Sequence, residues 1–152
     1  MIETALDFTG KRVLVVGGSS GIGNGIAQAF RARGAQVHVW GTRGSAADYA
    51  AAEGADLAGL GYSQVDVGDA ASIAAAPEPF DSLDILIHSQ GAVLYKRQEF
   101  QRAGFDKVVA VNLSSVMQIS ERFHASLAAA KGSVIVVSSI GAFKATIANP
   151  AY

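Results

Sequence analysis

Gly17-Gly-Ser19-Ser20-Gly21-Ile22-Gly23 stands at the end of an apolar run, Val13-Leu-Val-Val16, and passes almost directly into Ile26-Ala-Gln-Ala-Phe30. Glycines let a backbone approach a bound group, and the first amides of a following helix present unpaired N–H groups and a positive dipole end. Residues of this kind in this order are suited to holding a phosphate. On this reading Gly17 makes the turn, Gly21 clears room for a pyrophosphate, and Gly23 lets the helix pack close to the strand. Ser19 and Ser20 add hydroxyl donors. Glycines at such a junction can also serve packing alone; what favours the anion is that the strand is the first in the chain and that further strand and helix units come after it. No Gly-x4-Gly-Lys-Ser/Thr motif is present, which disfavours a triphosphate site of the P-loop kind.

The elements that must hold this turn come in order along the chain. After a first helix that closes at Gly34, residues 36–40 read as a second strand and residues 46–53 as an alanine-rich helical stretch. A third strand is expected over 62–66, then a short helix capped by Asp69 and ended by Pro77 and Pro79. Residues 83–89 form a fourth strand, a long helix runs to about Ala130, and 133–139 form a fifth strand. Strands that are apolar at consecutive positions are buried on both faces, so the expectation is an α/β fold with a doubly wound parallel sheet.

In such sheets a ligand sits outside the carboxyl ends of the strands. The residues at those ends are Gly17 to Gly23, Trp40 to Ser45, Asp66, His88 to Gly91, and Ser138 with Ser139. Asp66 can equally be an ordinary aspartate at a helix start. On the long helix a spacing of about 100° per residue gathers Phe105, Val109, Val116, Ile119, Phe123 and Leu127 on one face, with Asn112 near its middle. The amide is thereby pressed toward the sheet, where it satisfies backbone groups of a neighbouring strand or a trapped water, serves the site, or does both.

Composition narrows the function classes. With 152 residues, half of them hydrophobic, the chain can bury one core, and a single domain over 1–152 is expected. Twelve basic residues against thirteen acidic ones leave a net charge of −1, which disfavours nucleic acid and anionic membranes as partners. There is no cysteine, no basic and apolar leader at Met1, and no apolar run near the ~20 residues that span a bilayer. A soluble, cytoplasmic protein is expected. His38, His88 and His124 show no ligand spacing, so no metal is proposed.

Taken together these residues resemble the short-chain dehydrogenase/reductase family over essentially the whole chain. Val16-Gly17-Gly-Ser-Ser-Gly21-Ile-Gly23 is similar to its T-G-x-x-x-G-x-G pattern, with valine for threonine. Asp66-Val67 resembles the pair that holds adenine, and Val111-Asn112-Leu113 resembles the family's helix asparagine. Ser139 stands thirteen positions before Tyr152, as the family's catalytic serine does before its tyrosine, and Asn149-Pro-Ala-Tyr152 resembles the approach to its Y-x-x-x-K motif. The resemblance implies a Rossmann-type fold and hydride transfer between a nicotinamide cofactor and a carbonyl or alcohol carbon. Tyr152 would be the general acid/base, Ser139 would hold the substrate oxygen, and Asn112 would position a relay water. Cofactor contacts would fall on Gly17, Ser19, Ser20, Gly21, Ile22, Gly23, Thr42, Arg43, Asp66, Val67, Gln90 and Gly91. Oligomerisation through the long helix is implied, by a face carrying Ser114, Gln118, Glu121 and Ala125.

Two departures stand out. The family's N-N-A-G after the fourth strand is His88-Ser89-Gln90-Gly91 here, and His88 is either a structural residue or one that reaches the ligand. The sequence stops at Tyr152, before the family's lysine, which lowers a phenol pKa that is ordinarily ~10. The expectation is the amino-terminal part of a longer enzyme, inactive alone, with its fifth strand an uncovered apolar edge. The family acid at the end of the second strand is Gly41 here, and none occurs from Val39 to Ala47, whereas Thr42, Arg43 and Ser45 offer a cation and two hydroxyls. That favours NADP, with NAD as second choice. The alternatives are a nucleotide-binding sensor or interaction module without turnover, and an inert fragment. Tyr95, Lys96 and Arg97 either face substrate or form a solvated loop.

Overall fold

A computed structural model describes residues 6–144 and 147–152. Five parallel strands form one sheet: β1 (Arg12–Val16), β2 (Gln36–Gly41), β3 (Gly61–Gln64), β4 (Ile85–His88) and β5 (Ser133–Val136). Their order is β3-β2-β1-β4-β5, so chain order reverses between β1 and β4. The register pairs Val16 with both Trp40 and His88, and His88 with Val136, which brings the carboxyl ends of four strands level.

Alternate side chains of β1 serve opposite faces, as the two-residue period of a strand requires. Leu14 and Val16 join Trp40, Leu86, Ile73, Ile119 and Phe123 in one apolar cluster; Val13 and Val15 join Val37, Val39, Ile87 and Ala27 in another. All four β1 side chains from Val13 to Val16 are fully buried. Helix α1 (Gly21–Arg31) covers the second cluster, and α2 (Ala70–Ala75), α4 (Ser115–Arg122) and α5 (His124–Ala130) cover the first. Asp69 caps α2 by accepting from Ala71 N at 2.9 Å. Arg122 closes the other end by donating to the carbonyls of Ala74 and Ala76. The edge strand β5 leaves Val134, Ile135 and Val136 about half exposed. Among the described residues no helix is long and apolar enough to cross a membrane.

The last three strands are shorter than expected, so that Asp66, Ser89, Ser138 and Ser139 lie past the strand ends, and two helical elements differ as well. The stretch 46–53 is only a short 3-10 turn, Ala46–Tyr49, with a Ser45/Asp48 capping box. The expected long helix is broken: α3 (Arg102–Val109) runs into a π turn (Ala110–Ser114), then α4, and Phe123 with ψ near 7° separates α4 from α5. A π turn adds a residue and rotates the helix before it relative to the helix after it. Val108, Ser115, Ile119 and Phe123 are therefore the buried line, while Phe105 is 41% exposed and Val109 only partly covered.

Candidate active site

The three glycines of the first turn meet different surroundings. Gly17 has φ +74°, and a Cβ on it would stand 2.7 Å from Gln90 N, so the β1 and β4 exits touch backbone to backbone. Gly23 would place a Cβ 2.2 Å from the Gly17 carbonyl oxygen, the close helix–strand approach that only glycine permits. Gly21, with φ +57°, faces open space: nothing lies within 4 Å of its Cβ position. Ser20 is the N-cap of α1 and makes no capping hydrogen bond, while the Gly21 amide is taken by the Gly54 carbonyl at 2.8 Å. Buried Asn24 ties the turn down, donating to Gly18 O and Asp56 O and accepting from Asp56 N.

The β2 exit is built around Tyr49. Its hydroxyl accepts from Thr42 N at 3.1 Å and Arg43 N at 3.2 Å. Burial raises the Tyr49 pKa, but Ser19, these amides and Tyr62 together outweigh it and leave the phenol below its ordinary value. Burial and the Tyr49 contact hold the neighbouring Tyr62 phenol well above its own. A Cβ on Gly41 would fall 2.6 Å from Ser19 Oγ and 2.7 Å from Tyr49 Oη, so a side chain there would displace one or both hydroxyls. The Arg43 guanidinium lies over the Tyr49 ring, 4.5 Å from its centroid, and donates to Asp48 O at 2.5 Å. At the β3 exit exposed Asp66 accepts from Gly68 N at 2.9 Å beside buried Val67.

The β4 exit carries a polar chain inside the molecule. His88 is 1% exposed; its Nε2 is 3.1 Å from Ser120 Oγ and its Nδ1 is 3.3 Å from Gln90 Nε2. Gln90 also donates to Ser115 Oγ at 2.9 Å, and Ser115 donates to Val111 O at 2.6 Å. An amide donating to Nδ1 leaves the ring proton on Nε2, directed at Ser120. Burial pushes the His88 pKa down to about 4, so the ring is neutral at physiological pH. His88 is thus structural, and Gln90, whose buried Oε1 has no partner among the described residues, is the member that reaches the cleft.

Three adjoining cavities share Gln90 and Gly91. The first, about 560 Å³, is lined by Gly17, Ser19, Ser20, Thr42, Asp66 and Val67, among others. The second, about 330 Å³, adds Ile22 and Gly23 and reaches Tyr152. The third, about 210 Å³, is lined by Asn112, Ser139 and Tyr152, among others. The candidate catalytic residues, from three separate elements, therefore share a cavity. Asn112 is not aimed at the sheet: it accepts from Ala92 N at 2.7 Å and donates to Ala92 O at 2.9 Å, bracing the loop after β4. Ser139 caps a 3-10 turn by accepting from Gly141 N at 3.1 Å, and a Cβ on Gly141 would stand 3.1 Å from the Tyr152 ring.

Of the expected cofactor residues, Arg43 and Gly21 line none of these cavities. Lys107, on α3, does line the first, and it was missed because only the fold brings α3 over the β3 exit. Tyr49 was missed for the same reason.

The short chain dehydrogenase family model matches residues 11–152. D-threitol dehydrogenase of Mycolicibacterium smegmatis is 33% identical over 144 residues, covering 88% of this chain and 55% of its own length. 3-Oxoacyl-acyl-carrier-protein reductase FabG of Escherichia coli K12 is 32% identical over 147 residues, covering 89% and 57%. The chain thus spans a little over half the length of these curated relatives. A solved structure from Sinorhizobium meliloti 1021, described as a short-chain alcohol dehydrogenase, superposes with a TM-score of 0.81 at 25% identity, over 97% of this chain and 61% of that one.

Proposed function

The chain belongs to the short chain dehydrogenase family, and from that premise we propose that it is the dinucleotide-binding part of an NAD(P)-dependent oxidoreductase acting on a carbonyl or alcohol substrate. The observation that carries this is the shared cavity: Asn112, Ser139 and Tyr152 all line it, and Gln90 and Gly91 line both it and the cleft of the glycine turn.

The residues fit a dinucleotide. Ser19 and Ser20 line the first cleft where the chain enters α1, the end at which a pyrophosphate would lie, while Gly21 stands just beyond that lining. Asp66 and Val67 line the far end of the first cleft, where an adenine would be held. Gln90 and Gly91 line both the first cleft and the cavity of Tyr152, where they would lie along a bound dinucleotide. When bound, the nicotinamide supplies or accepts the hydride. Tyr152 gives a proton to the substrate oxygen in reduction and takes it back in oxidation. Ser139 Oγ, already accepting from Gly141 N, directs its own proton to that oxygen. Asn112 Oδ1 has a second lone pair for a relay water, its first being used by Ala92 N.

For cofactor choice the reading is NADP over NAD. Position 41 carries no carboxylate to repel a 2′-phosphate, Thr42 and Lys107 line the first cleft, and Arg43 follows Thr42 in the chain. Arg43 must leave the Tyr49 ring to take part. A homo-oligomeric, cytoplasmic enzyme completes the proposal.

Titrating the full-length protein into NADPH and NADH should change the fluorescence of the reduced nicotinamide saturably, and carbonyl-dependent NADPH oxidation should accompany it. Saturable binding without turnover on any carbonyl would favour a sensor; no binding of either dinucleotide would defeat the proposal.

A further inference from the structure

Glu99 is the one carboxylate buried to 1% exposure among the described residues, and it lies outside the residues so far assigned to the site. A charged group so placed must be compensated. It sits in a 3-10 turn (Gln98–Phe100) just before α3. Its Oε1 accepts from Leu94 N at 2.9 Å and from Asn149 Nδ2 at 3.0 Å; its Oε2 accepts from Ala151 N at 3.0 Å. Asn149 Nδ2 also donates to Leu94 O at 2.9 Å. Burial alone would raise the Glu99 pKa, yet these donors and the Tyr152 amide hold it below the usual carboxylate range, so it is ionised at neutral pH.

The groups that hold the charge are neutral donors from two segments far apart in sequence. One is the loop after β4, which Asn112 also braces through Ala92. The other is the stretch 149–152 that ends in Tyr152. We propose that Glu99 is a positioning residue for Tyr152: its carboxylate clamps residues 149–152 against the Leu94 loop and so fixes where the phenol stands in the cavity that holds Ser139 and Asn112. A carboxylate suits the task, because both its oxygens accept and every partner here donates. An amide in its place turns one acceptor into a donor facing N–H groups. The proposal rests on the catalytic reading of Tyr152, while the clamp is measurable without it.

The test uses the full-length protein and its Glu99→Gln variant. Amide hydrogen exchange should quicken at least about tenfold at Ala151 and Tyr152, with β1 and α1 unchanged, since local opening is read amide by amide. NADPH affinity should stay within about twofold. With a small vicinal diketone as probe substrate, kcat should fall on the order of a hundredfold, the scale for a misplaced catalytic group. Asn149→Ala, which removes one arm and keeps Glu99, should move the same two amides by less, and it decides the matter if Glu99→Gln does not fold. Unchanged exchange at Ala151 and Tyr152, faster exchange spread evenly over the chain, or quicker exchange with kcat intact would overturn the proposal. Turnover by Tyr152→Phe would instead overturn the catalytic reading, whatever the exchange result.

Discussion

The space beside Gly41 belongs to the Tyr49 hydroxyl, 2.7 Å from where a Cβ on residue 41 would stand. A side chain at the end of β2 therefore competes with the group that orders the next loop. Gly41→Asp should not yield a working NAD site; it should destabilise the protein by about 1–3 kcal/mol, as overpacking does. Tyr49→Phe frees the Thr42 and Arg43 amides and Arg43→Ala removes the cation, so Arg43→Ala should weaken NADP more than NAD. Parallel titrations with both cofactors check this; an unchanged preference in Arg43→Ala would end the role given to that residue.

The glycine turn separates packing from binding. Gly23→Ala sets a methyl against a backbone oxygen and should cost more than about 1 kcal/mol in denaturant unfolding. Gly21→Ala has room for its methyl but a left-handed backbone, a cost of roughly 1–2 kcal/mol. It should still fold, with dinucleotide affinity lowered at least about tenfold because the methyl enters the pyrophosphate's space. Equal affinity in Gly21→Ala and wild type would relocate the anion.

The buried His88 ring makes stability depend on pH. Its folded pKa of about 4 lies below the ordinary histidine value of 6.5, so between these limits the unfolded chain binds more protons. This contribution is complete above pH 6.5 and is lost as pH falls towards 4, about 3 kcal/mol in all. Urea midpoints from about pH 7.5 to about 4 should show the wild type losing stability more steeply than His88→Asn. Parallel curves would mean the ring is not held neutral.

Much of this organisation is legible in the residues. The apolar strands, the glycine turn, the Asp69 cap and the strand-end positions all arise from local chemistry, and local chemistry is what a sequence displays. The course of the long helix is not, because nothing in Ala110 to Ser114 announces a π turn, and one extra residue moves Phe105 off the buried line. Glu99 is equally silent: its partners at 149 and 151 lie about fifty positions away. A charged residue before a helix reads as solvated until the fold closes over it.

That rotation also changes the outward face. Leu113 is 68% exposed and Met117 61%, beside the smaller and polar residues expected there. Leu113→Lys with Met117→Lys should shift the full-length protein towards monomer in sedimentation at micromolar concentration. An unshifted oligomer would place its interface elsewhere.

In the proposed hydride transfer Tyr152 and Ser139 handle the substrate oxygen's proton. Ser139→Ala should lower kcat on the order of a hundredfold, the usual cost of one lost oxyanion donor. The most direct measurement is single-turnover NADPH oxidation by the full-length Tyr152→Phe variant with a small vicinal diketone, alongside NADPH binding. The chemical step should be abolished while affinity stays within about twofold, because only a proton donor is removed. Hydride transfer at the wild-type rate in Tyr152→Phe would contradict that role.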